Sequence, residues 1–239
     1  MLCNNTERQT SLIAVVPAAG IGKRMQSHLP KQYLKIGEQT VLAHTVLRLL
    51  THPMILQVII VVAKDDPYFL QTGLQHHAQI STVYGGAERV DSVLAGLQAI
   101  NSADYPWVLV HDAARPCVRL TDISALIEQC FAKQTGGLLA CAVRDTMKRS
   151  NCMMVTKTVA REQLWHALTP QLFNTKTLLH AISLAKQHNL PITDESSAIE
   201  FTGEQPLLVA GANDNIKITE PNDLVMAEFI LKQQEQSCV

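Results

Sequence analysis

A chain of 239 residues, 47% of them hydrophobic, is long enough to bury a substantial core. Its 20 Lys+Arg against 21 Asp+Glu, a formal net charge of −1, give no broad basic field for nucleic acid or an anionic membrane. Any anion must therefore be recognised by local cations, and the expected partner is a small molecule. The polar start MLCNNTERQT lacks the apolar core of a secretion signal, and no apolar run is long enough to span a bilayer. Six scattered cysteines (Cys3, Cys117, Cys130, Cys141, Cys152, Cys238) without a C-x-x-C pair predict reduced thiols, no zinc and a cytoplasmic protein.

The first predicted strand, 12–16, runs into Pro17-Ala18-Ala19-Gly20-Ile21-Gly22-Lys23-Arg24-Met25 and then Pro30-Lys31-Gln32-Tyr33. Ala18, Ala19, Gly20 and Gly22 are small enough to let backbone N–H groups approach an anion, and Arg24 and Lys31 add side-chain charge, which is the layout of a triphosphate cradle. There is no G-x-x-x-x-G-K-[ST], and the third glycine of a dinucleotide fingerprint is missing. A helix at 41–51 and strands at 58–63 and 82–84 follow. The last of these ends in Gly85-Gly86-Ala87-Glu88-Arg89, with Ser92 in the first turns of a helix at 89–100, so this loop is placed to close over a base or ribose.

A strand at 107–111 ends in His111-Asp112-Ala113-Ala114-Arg115. An acid at the carboxyl end of a parallel strand faces the ligand crevice, so Asp112 is expected to hold Mg²⁺ or a substrate hydroxyl, whereas His111, of alternate orientation, is expected to be a packing group. A helix at 121–133 and a strand at 137–143 come next. Polar β-type runs at 146–149 and 155–161 flank Ser150-Asn151 and predict a projecting hairpin, which needs a partner to pack on because two strands alone are marginal in water. Trp165-His166-Ala167-Leu168-Thr169-Pro170-Gln171 is read as the lead into a helix at 175–188, and Thr193-Asp194-Glu195 opens another helix. A strand at 207–210 precedes Asp214-Asn215-Ile216-Lys217, which puts Lys217 after an Asp-Asn turn, and a helix at 221–236 closes the pattern. The alternation predicts an α/β, doubly wound, mostly parallel sheet of the Rossmann-like nucleotidyltransferase kind, with a protruding β-hairpin.

Taken together, AAGIGKRM, PKQY, GGAERVDSV, VHDAARP, RDTMKR, WHALTPQ, TDE and NIKIT occur in an order and spacing that resembles the 2-C-methyl-D-erythritol 4-phosphate cytidylyltransferase (IspD) family of non-mevalonate isoprenoid synthesis, over nearly the whole chain. The resemblance implies an enzyme that joins CTP and methylerythritol phosphate to give CDP-methylerythritol and pyrophosphate with Mg²⁺, through metal ligands that it leaves unassigned. It implies that Arg24 and Lys31 stabilise the α-phosphate in the transition state and that Arg161 and Lys217 position the attacking phosphate. Pro17, Ala18, Ala19, Gly20 and Gly86 with Ser92 would line the cytidine and triphosphate site, and Asp112, Arg115, Thr146 and Thr169 the acceptor side. It also implies a homodimer whose hairpin arms interlock, so that Thr146 and Arg161 serve the neighbouring subunit, with residues 1–239 forming one cytidylyltransferase domain and the arm at about 144–163. Ala87 stands where some members carry an acid, which leaves the cytosine to be read by backbone groups. Two alternatives stay open: a ribitol 5-phosphate cytidylyltransferase with similar loops, and a catalytically silent nucleotide-binding protein of the same fold.

Overall fold

The computed structural model describes residues 11–20 and 29–236, so Gly22 and Arg24 lie outside the described residues. The chain begins with β1 (Leu12–Pro17), a 3-10 turn (Lys31–Tyr33) and a small unpredicted hairpin of β2 (Lys35–Ile36) and β3 (Gln39–Thr40). It continues through α1 (Val41–Leu50), β4 (Ile55–Val62), β5 (Ile80–Tyr84), α2 (Arg89–Gln98), β6 (Trp107–Val110), α3 (Leu120–Lys133) and β7 (Gly137–Ala142). The hairpin β8 (Met147–Asn151) and β9 (Met154–Val159) follows, then β10 (Trp165–Asn174), α4 (Thr175–Gln187), α5 (Glu195–Phe201), β11 (Leu207–Ala210) and α6 (Pro221–Gln236).

Seven strands form one sheet in the order β11-β7-β10-β6-β1-β4-β5, parallel except for β10, which runs antiparallel to both β6 and β7. Successive side chains of a strand point to opposite faces, and both faces of this sheet are covered. Leu12, Ala14 and Val16 of β1 pack with Leu42 and Val46 of α1 and Ile123 and Leu126 of α3. Ile13 and Val15 pack instead with Val93 and Leu97 of α2 and Leu178 and Ile182 of α4. Helix α2 rides close on β1, for a Cβ added at Gly96 would stand 2.5 Å from Val15 Cγ1. From β1 the chain passes by α1 to β4 and β5 on one side. It then returns along the opposite face by α2 to β6 on the other side. The direction of winding thus reverses at β1, and in such sheets the crevice outside the strand carboxyl ends takes the ligand.

One expectation is extended and one is corrected. The segment expected to lead into the helix at 175–188 does so, and it is itself an interior strand of the sheet, β10, which the sequence reading did not include. Pro170 is tolerated there because the pairing with β7 skips from Ala167 to Gln171 and the pairing with β6 starts at Gln171, so no ladder bond is asked of its missing N–H. The hairpin exists, but Ser150-Asn151 belongs to β8. The turn is Cys152-Met153, both with positive φ (45° and 65°), the sense that the right-handed strand twist favours in a two-residue connection.

Candidate active site

The crevice between the carboxyl ends of β1 and β6 holds a cleft of about 310 Å³, lined by Pro17, Ala18, Ala19, Gly20, Gly86 and Ser92 on one side and by Lys31, Asp112 and Lys217 on the other. The turn after β1 is braced from behind. Buried Gln32 donates its amide to the carbonyls of Ala18 (2.7 Å) and Gly20 (2.9 Å), which engages two oxygens that would otherwise repel an anion. Next to Gln32, Lys31 lines the cleft, and its Nζ donates to the Ile218 carbonyl at 2.7 Å. Opposite, the loop after β5 needs glycine for close approach: a Cβ at Gly85 would lie 2.4 Å from Ser92 Oγ and 3.0 Å from Ala19 Cβ.

Asp112, immediately beyond β6, is the electrostatic centre. Its Oδ1 meets Arg89 at 3.2 Å, and its Oδ2 meets Lys217 at 2.9 Å and Arg115 at 3.2 Å. Burial by itself would raise this carboxyl, but Arg89, Lys217 and Arg115 outweigh it and hold Asp112 well below the ordinary carboxylate range. Arg115 also donates to the Asn215 carbonyl at 2.8 Å, and the Asn215 amide donates to the Thr169 carbonyl at 2.8 Å, which ties the Lys217 segment to β6 and β10. A second opening of about 240 Å³ shares Arg89, Asp112 and Lys217 with the first and adds Arg115, Thr169 and Gln171.

His111 is fully buried, and its two ring nitrogens meet the Arg115 carbonyl and the Thr169 hydroxyl, both at 3.0 Å. The backbone N–H of Asp112 donates to the same hydroxyl at 3.0 Å. One neutral tautomer satisfies the whole chain: Nε2–H donates to the carbonyl, and Nδ1 accepts from Thr169. His111 is thus the packing group the sequence suggests, and it fixes the backbone at Asp112.

Thr146 and Arg161 line neither opening. Both are exposed at the base of the hairpin, where Arg161 Nη1 donates to the Arg144 carbonyl. Sequence reasoning missed three participants: Gln32, Arg89 and Glu195. The first two lie inside motifs already singled out, but nothing marked them as donors that brace the site. Glu195, beside the N-cap Asp194 of α5, looks like an ordinary acid in a first helical turn, yet it is 2% exposed and pairs with Arg89 at 2.7 Å.

Among the described residues no group of three or more His, Cys, Asp or Glu has a metal-binding arrangement, and no helix is long and apolar enough to cross a membrane. Cys117, Cys130, Cys141 and Cys152 are free thiols.

The family model described as IspD, 2-C-methyl-D-erythritol 4-phosphate cytidylyltransferase, matches residues 12–233. A relative of that name from Colwellia psychrerythraea is 54% identical over 231 residues, covering 93% of this chain and 95% of the relative. One from Vibrio vulnificus is 53% identical over 229 residues, with 95% and 97% covered. Among solved structures, 2-C-methyl-D-erythritol 4-phosphate cytidylyltransferase from Francisella tularensis superposes with a TM-score of 0.80 at 34% identity, covering 92% of this chain and 99% of that one.

Proposed function

Because the chain belongs to the 2-C-methyl-D-erythritol 4-phosphate cytidylyltransferase family, we propose that its two adjoining openings seat CTP and methylerythritol phosphate and join them into CDP-methylerythritol and pyrophosphate. The protein is a nucleotidyltransferase of non-mevalonate isoprenoid synthesis. The observation that carries the residue assignment is Asp112 at the junction of the openings, gripped by Lys217 and Arg115 from the second and facing the triphosphate loop across the first.

In this reading Pro17, Ala18, Ala19, Gly20 and Gly22 receive the triphosphate, and Gly86 and Ser92 close over the cytidine. The small residues Ala18, Ala19 and Gly86 favour a pyrimidine over a purine in this reading, so CTP is preferred to ATP. Lys31 serves the α-phosphate, a role that the family resemblance alone extends to Arg24, and Lys217 with Arg115 and Thr169 receives the acceptor phosphate. Two polyanions must meet, so charge neutralisation is the first requirement, and cations held ready in the cleft supply it without reorganising during the reaction. The acceptor phosphate is ionised near neutral pH, since its second pKa is about 6. An in-line attack on the α-phosphorus therefore needs no general base, and the bond to pyrophosphate breaks as the new P–O bond forms.

Mg²⁺ would be held chiefly by substrate phosphate oxygens, because both oxygens of Asp112, among the described residues the one carboxylate that lines both openings near the cations, are already engaged by Arg89, Lys217 and Arg115. When bound, it supplies further neutralisation of the triphosphate. The assembly proposed is a homodimer, in which the arm at about 144–163 of the chain at 1–239 carries Thr146 and Arg161 to the partner's cleft. The 93% exposure of Met153 and the 73% exposure of Met154 at the tip support a covering surface. Pyrophosphate release from CTP with methylerythritol phosphate, compared with ribitol 5-phosphate and with no acceptor, tests the function. No release with methylerythritol phosphate, or faster release with ribitol 5-phosphate, rejects it.

A further inference from the structure

Arg89 lines both openings, yet its guanidinium is turned onto carboxylates. Nη1 and Nη2 donate to Glu195 Oε1 at 2.7 Å and Oε2 at 3.3 Å, and Nε donates to Asp112 Oδ1 at 3.2 Å. A guanidinium has five N–H donors in a rigid fork, and here each of its three nitrogens is engaged by a carboxylate. Glu195 is itself held in place. The Ser196 backbone N–H donates to Gln171 Oε1 at 2.8 Å, Gln171 donates to Asp194 at 2.9 Å, and Gln171 and Ser196 are buried. Among the described residues three cations (Arg89, Arg115, Lys217) thus face two carboxylates (Asp112, Glu195), and the second carboxylate pairs with Arg89 alone.

We infer that Glu195 is a positioning residue that keeps Arg89 from binding substrate phosphate and, through Arg89, orients Asp112 toward Lys217 and Arg115. The inference rests on the reading of the openings as phosphate seats. Its logic is that of ground-state binding. A cation as close to the path as Arg89, if freed, would hold phosphates equally before and during the reaction, tightening binding without raising kcat. Loss of the Arg89 contact would at the same time leave Asp112 free to turn away from the cations it aligns.

Pyrophosphate serves as the probe, titrated calorimetrically into wild type, Glu195→Gln and the double variant Arg89→Met/Glu195→Met. kcat and thermal melts are measured in parallel. In Glu195→Gln, pyrophosphate should bind about tenfold tighter, the worth of one charge-assisted hydrogen bond, while kcat falls about tenfold. A residue that merely stabilises the fold would lower the melting temperature and weaken binding instead. Unchanged or weaker binding in folded Glu195→Gln overturns the proposal. The double variant replaces the pair by apolar side chains of similar bulk, a change that buried ion pairs often tolerate. It should bind pyrophosphate within about twofold of wild type while kcat is still reduced about tenfold. A tenfold loss of pyrophosphate affinity there makes Arg89 a phosphate ligand and overturns the proposal even if Glu195→Gln does not fold. Turnover of CTP and methylerythritol phosphate by wild type tests the functional reading separately.

Discussion

Mild acid should destabilise this protein before its carboxylates titrate, because of His111. The ring is fully buried, and burial pushes its pKa down from 6.5 to about 4, with the Arg115 carbonyl and the Asp112 charge opposing the shift only in part. In the unfolded chain the same ring titrates near 6.5, so between these values the unfolded state binds a proton that the folded state refuses. Stability is therefore complete above about pH 6.5 and is lost as pH falls, until the folded ring protonates. A gap of about 2.5 pH units at about 1.4 kcal/mol per unit makes the total loss about 3 kcal/mol, of which about 2 kcal/mol appears by pH 5. The stability that comes from Asp112 is held to much lower pH and goes only below the unfolded carboxylate value near 3.9, so the two windows separate. Urea unfolding at about pH 7.5, 6.5, 5.5 and 5 should show the decline in wild type. His111→Gln should be less stable throughout but should lose close to one proton's worth of slope. His52, also depressed by burial, contributes the same slope to both proteins and cancels. Equal slopes in wild type and variant would refute the assignment.

Lys31→Ala and Arg24→Ala should each lower kcat on the order of 100-fold to 1000-fold with little change in melting temperature, as for loss of one transition-state donor, and steady-state kinetics beside a melt decides it. Inactive Arg24→Ala and Arg161→Ala chains should regain up to about half the wild-type rate per heterodimer when co-assembled, since one site then carries both defects and the other neither. A mixture that stays dead despite verified heterodimers places Arg161 in its own chain's site. Gly96→Ala should cost about 1–3 kcal/mol in chemical denaturation, because its new methyl would press on the buried Val15 of β1.

What could be read in advance was what is local. The apolar runs of β1, β4 and β6 announce buried parallel strands, because period and composition are properties of short windows. β10 escaped because its middle holds Pro170, a feature that argues against an interior strand until the skipped pairing is seen. The hairpin turn escaped because Cys152 and Met153 carry none of the Asn-Gly chemistry that usually marks positive φ. The Arg89–Glu195 pair was invisible for a different reason. Its partners are 106 residues apart and are brought together by the packing of α2 against α4 and of α4 against α5.

The bond from Lys31 to the Ile218 carbonyl spans 187 positions of chain. The turn after β1 is among the first segments to be synthesised, and the segment carrying Lys217 is among the last. Chains grow at about 5–20 residues per second, so roughly 10 to 40 s separate the appearance of the two halves of this site. β1, α1, β4 and β5 can assemble meanwhile, but the wall that carries Asp112 lacks Lys217 until the segment after β11 docks on Ala114 and Arg115. A nascent chain is therefore barred from nucleotide chemistry until synthesis is nearly complete. Turnover in a refolding experiment should accordingly report the last long-range docking event and trail the recovery of helical signal.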